Sequence, residues 1–101
     1  MDRCINACRQ CQITMEKDHP CVACCYDCEQ ICNFSKFANL NISFLDISLL
    51  DLCNNACTFC ILECTKHMEH HDTCKECVAA CLECISECQE KKLVSLRDTF
   101  K

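Results

Sequence analysis

The chain has 101 residues, 17 of them Cys, with no Gly, one Pro, no Trp and one Tyr, and a formal charge of -5. That length holds one compact domain, and an acidic chain is a poor partner for nucleic acid or an anionic membrane. The odd cysteine count, the scarcity of turn residues and the lack of an apolar leader in MDRCINACRQC also argue against a secreted disulfide scaffold and for a cytoplasmic protein with reduced thiols.

In chain order, residues 2 to 17 form the first predicted helix, with Cys4, Cys8 and Cys11 stepping by 4 and 3 and Met15 extending the stripe. Asp18 or His19 is placed to cap a second helix, over 19 to 38, in which Pro20 stands at the first turn, where a missing N–H is tolerated. Its stripe is Cys21, Cys25, Cys28 and Cys32, with Cys24 slightly to one side. Residues 33 to 52 then lose cysteine and gain Phe and Leu, forming an apolar plug; Ser43 and Asp46 make a capping pair for a third helix over 44 to 68. Leu49, Cys53, Cys57, Cys60 and Cys64 line that helix.

The polar turn KHMEHHD leads to a fourth helix over 72 to 92, with Thr73 and Glu76 as a capping box and a stripe of Cys74, Cys77, Cys81, Cys84 and Cys88. Residues 93 to 101 read as a tail. The alternating steps of three and four put thiols where Leu or Ile ordinarily packs between helices. The fold class is therefore all-α, an up-down-up-down four-helix bundle with a cysteine-lined core. No apolar run is expected to reach the ~20 residues of a membrane span. The topology gathers Met15, His19, His67, Met68, His70 and His71 at one end and the Phe- and Leu-rich segment at the other.

Thiolates in such number select Cu(I), Zn(II) or iron-sulfur clusters. Charge separates these. One Cu(I) per thiolate leaves the interior neutral, whereas four Zn(II) on sixteen thiolates strand eight negative charges, and buried uncompensated charge costs several kcal/mol per ion. The CxxC spacings Cys8 to Cys11 and Cys57 to Cys60 lack the βαβ setting of an oxidoreductase. Iron-sulfur ligands usually sit in loops, and the Glu-x-x-His pairs of a di-iron bundle are missing.

The inward CxxxC pairs across residues 4 to 92, with the turn ECTKHMEHHDTCKECVAAC, resemble the copper storage proteins, specifically their cytosolic branch. The resemblance implies a homotetramer of four-helix bundles, not an enzyme, with many Cu(I) ions per monomer held by inward cysteines. Carried over, it makes all seventeen cysteines ligands: Cys4, Cys8, Cys11, Cys21, Cys24, Cys25, Cys28, Cys32, Cys53, Cys57, Cys60, Cys64, Cys74, Cys77, Cys81, Cys84 and Cys88. It also makes Met15, His19, His67, Met68, His70 and His71 candidates at the mouth where copper enters. The Cys-free residues 33 to 52 and the tail depart from the family pattern. Expected partners are copper ions, a cytosolic copper carrier and other copies of the chain. The alternative function is a zinc or general heavy-metal thiolate buffer.

Overall fold

A computed structural model describes the backbone of residues 1–36 and 44–99, and side chains over 1–36 and 47–94. Four helices follow in order, α1 (Asp2–Thr14), α2 (Pro20–Lys36), α3 (Phe44–Thr65) and α4 (Asp72–Thr99), with no strand among the described residues. Each helix packs on its neighbours in sequence, and α1 closes the ring against α4. That pairing, with short turns from α1 to α2 and from α3 to α4, is an up-down-up-down bundle.

The helices form where the thiol periodicity places them, but their ends differ from expectation. α1 stops at Thr14, three residues early, because Met15 turns extended at φ -94° and ψ 157°. Thr14 Oγ1 then donates to the Gln10 carbonyl at 2.9 Å, covering an acceptor the helix leaves open. α2 begins at Pro20 as expected, and His19 caps it: its Nδ1 accepts the Cys21 backbone N–H at 3.1 Å. α3 ends at Thr65, and 66–70 are turn.

Two expectations about α4 are corrected. The capping box of Thr73 with Glu76 does not form, because α4 begins at Asp72, as expected, which puts Thr73 inside its first turn. Thr73 Oγ1 instead pairs with Thr14 Oγ1 across the bundle at 2.9 Å, and Glu76 takes Arg3 at 2.9 Å. The expected boundary at residue 92 is not a helix end, since α4 runs on to Thr99. The Ser43 and Asp46 pair, and Phe37, Leu40, Ile42, Phe44 and Leu45 of the plug, lie outside the described side chains. Of the plug's described members Leu50 is buried, while Phe34 stays 72% exposed and Leu52 49% exposed.

The expectation about membrane-length runs is also corrected. Within α3, Ile47–Thr65 is 19 residues long and apolar enough by composition to cross a membrane. The apolar count comes partly from its cysteines, and those are the side that α3 buries against the other helices. Ion pairs on the outside join the helices. Arg9 and Gln12 both donate to Glu29, at 3.0 and 2.8 Å, tying α1 to α2. Arg3 reaches Glu76 and Glu83 from α1 to α4, and Lys92 meets Asp51 at 2.7 Å between α4 and α3. Exposed pairs of this kind contribute about 0.2–1 kcal/mol each, so burial of the interior has to supply most of the stability.

Candidate metal centre

Sixteen of the seventeen cysteines are buried, all of them reduced; Cys24 alone is half-buried. Because neighbouring helices run in opposite directions, the thiols stack in layers that take one sulfur from each helix. Nearest the turns joining α1 to α2 and α3 to α4 lie Cys11, Cys21, Cys64 and Cys74; next come Cys8, Cys25, Cys60 and Cys77, and then Cys4, Cys28, Cys57 and Cys81. At the far end Cys32, Cys53 and Cys84 meet at 3.4 to 3.8 Å, with Cys88 beside Cys53 and Cys84. α1 has no thiol at that level. Its stripe ends on Met1, which is buried in the same core.

Sulfurs also approach between layers, at 3.8 to 3.9 Å at some steps and within 4.8 Å at the others, so that one grouping leads into the next. Cys28 meets Cys32 at 3.9 Å, Cys25 meets Cys64 at 3.8 Å, and Cys60 meets Cys64 at 3.9 Å. Within layers the contacts run from 3.4 Å, Cys60 to Cys77, to 4.0 Å, Cys28 to Cys81. Two layers share members with alternative groupings: Cys4, Cys32, Cys57 and Cys84 form one, and Cys8, Cys28, Cys60 and Cys81 another. A soft cation placed in one grouping therefore has its next set of sulfurs already within reach.

No Lys or Arg is among the buried residues described, so, apart from the Met1 ammonium near Cys84, a bare thiolate here has only other sulfurs to stabilise it. Burial pushes the Cys21 thiol up to about 11, against hydrogen bonds from Cys64 and Cys74 that favour its ionised form. Cys74 is raised by burial and by Cys11 and Cys21 beside it. Deeper in, protons are shared: hydrogen bonds from Cys28, Cys32 and Cys57 favour a thiolate at Cys4, while those with Cys25, Cys28 and Cys4 hold the proton on Cys8. Packed acids of one kind titrate as a set rather than singly. A cation that enters displaces protons and brings the missing positive charge.

The six residues expected at the mouth come together in part. The ring of His19 stands edge-on to His67 with centroids 4.5 Å apart, and to His71 at 5.8 Å. Met15 is buried and Met68 packs half-buried on the core, whereas His70 is exposed. The histidines differ in what their nitrogens are free to do. His19 spends Nδ1 on the cap of α2, so in the neutral ring Nε2 carries the hydrogen. His67 Nε2 is buried without a hydrogen bond, its nearest acid being Glu63 Oε1 at 3.5 Å. Of the histidines, His67 thus offers the nitrogen best prepared for a soft cation.

Cys24 falls off the stripe as its spacing implies, and its S–H donates to the Cys21 carbonyl at 3.3 Å. Sequence reasoning missed Met1, although it sits three residues before Cys4 on the same face, and Glu63, which pairs with Lys66 at 3.0 Å and stands 3.5 Å from His67 Nε2.

A four-helix bundle whose seam is almost wholly sulfur, closed at one end by His and Met, defines a polythiolate metal-binding protein. The profile of the copper storage protein family matches residues 1–93, nearly the whole chain, and the chain belongs to that family. It is a storage family and not a family of enzymes. No curated relative and no solved structure matches the chain.

Proposed function

We propose that the protein is a non-enzymatic, high-capacity store of Cu(I), binding more than about ten ions per monomer through its inward thiolates. The observation that supports this reading is the succession of sulfur groupings, each within 4.8 Å across and leading into the next, through an interior without a basic side chain among the described residues. A monovalent cation that replaces one proton per thiol leaves such an interior neutral. Cu(I) reaches the protein on a cytosolic carrier or a small thiol, is taken at the end where His67, His71, Met15 and Met68 gather, and passes inward by exchange between neighbouring thiolates. His19 acts there by shaping the turn. The work is done in the cytoplasm by a homotetramer.

The test is titration of the reduced protein with Cu(I) without oxygen, followed by native mass spectrometry. Uptake of more than about ten ions is expected, and saturation at four or fewer rejects storage.

A second reading, a zinc or general heavy-metal buffer, has one observation in its favour. Around Cys4 the sulfurs of Cys28, Cys57 and Cys81 lie at 3.9, 3.9 and 3.6 Å. The edge of a tetrahedron with Zn–S bonds of ~2.3 Å is about 3.8 Å. Competition decides between them: Cu(I) displaces bound zinc completely if storage of copper is the function, and leaves it in place if it is not.

A further inference from the structure

The register shared by the four helices continues past the last thiol of α1. Between α1 and α4 the facing sulfurs are Cys11 with Cys74 at 3.9 Å, Cys8 with Cys77 at 3.7 Å and Cys4 with Cys81 at 3.6 Å. Each step back along α1 is matched by an equal step forward along α4, as antiparallel helices in fixed register require. The next step of the stripe leads from Cys4 to Met1 and from Cys81 to Cys84. Between α2 and α3 the same progression runs from Cys25 with Cys60 at 3.6 Å, through Cys28 with Cys57 at 3.7 Å, to Cys32 with Cys53 at 3.4 Å. Cys84 joins that last pair, 3.8 Å from each sulfur. A fourth layer thus holds three thiols, and the place open to α1 falls to Met1.

Two contacts hold Met1 at that level. Its carbonyl accepts the Ile5 N–H at 3.0 Å, which sets Met1 on the helical turn that carries Cys4. Its ammonium donates to Glu87 at 2.8 Å, on the turn of α4 that follows Cys84. The side chain is only 3% exposed and packs in the same core as the thiols. A thioether is a soft donor, as a thiolate is, yet it has no proton to lose and adds no negative charge.

We propose that the Met1 thioether and the thiolates of Cys32, Cys53 and Cys84 form a Cu(I) site at the end of the bundle away from the histidines. This rests on the storage reading and adds a ligand to it. In the step, Cu–S bonds form to the three cysteines, whose thiol protons leave to solvent, while Met1 gives a lone pair from Sδ and releases nothing. Copper stays Cu(I) throughout. A fourth thiolate in that place would leave one more buried negative charge to be offset.

The test puts selenium at Met1 alone. The chain has 3 methionines, so Met15→Leu with Met68→Leu, grown on selenomethionine, leaves one selenium, whose X-ray absorption fine structure is read after loading with Cu(I) without oxygen. About one copper is expected at bonding distance from it, and adding Cys84→Ser should remove most of that shell. A selenium that sees only carbon, or a shell indifferent to Cys84→Ser, overturns the site and leaves Met1 as packing. Should the double variant fail to fold, the parent with selenium at every methionine is compared with its Cys84→Ser form. Copper per selenium should then fall by about one third, and no fall overturns the site. A parent that holds four ions or fewer fails on capacity, which removes the storage reading itself. A chain that stores copper with a carbon-only shell at Met1 removes this site alone.

Discussion

The layering of the thiols sets different ceilings for different metals. A divalent ion with four thiolates uses a whole tetrad, and the tetrads cannot all be filled, because several share sulfurs. Three that share none are those of Cys11 with Cys21, Cys8 with Cys25, and Cys4 with Cys28. Seventeen thiols allow four at the very most. Co(II) should therefore saturate at about three to four ions, judged by its tetrathiolate absorption, while Cu(I) passes about ten. The overlaps also give a pattern across variants. Cys28 belongs to two tetrads, yet without it the groups of Cys4 with Cys32, Cys8 with Cys25, and Cys11 with Cys21 remain. Cys28→Ser should thus keep the Co(II) ceiling, at a cost of about 1–3 kcal/mol for burying a hydroxyl. Cys21 belongs to a tetrad that shares no sulfur with the four others named above, so Cys21→Ser should lower the ceiling by one. Co(II) uptake well above four, or equal loss in both variants, would refute the layered arrangement.

Three further outcomes follow from individual contacts. Since burial raises Cys21 to about 11 from an ordinary thiol value of 9.0, its contribution to apo stability is complete below pH 9 and is lost as pH rises from there to about 11. Denaturant midpoints of the metal-free protein should fall over that interval, and a flat profile contradicts it. His19→Ala removes the cap of α2 and should lower stability by about 1 kcal/mol, with the Cu(I) count unchanged; a loss of several ions would instead make His19 a ligand. Glu29 is nearly buried and receives both Arg9 and Gln12. Glu29→Ala should cost about 1–3 kcal/mol in urea unfolding, and a change below ~0.3 kcal/mol would show those bonds to be weak.

The thiol rhythm by itself determined which sulfurs face inward. Steps of three and four keep a side chain at one angular position around a helix axis, and the sixteen cysteines on those stripes are the ones buried, while Cys24, off the stripe, is not. Pro20 likewise marked the start of α2, and the gathering of His19, His67 and His71 was implied by the topology. Only the tertiary structure decided which four sulfurs share a layer, because periodicity says nothing about how far one helix slides along another. It also decided that Thr73 would bond Thr14 rather than cap its own helix, and that the ring of His19 would hold the start of α2. Those are choices among partners, settled by what the opposite helix brings within hydrogen-bond distance.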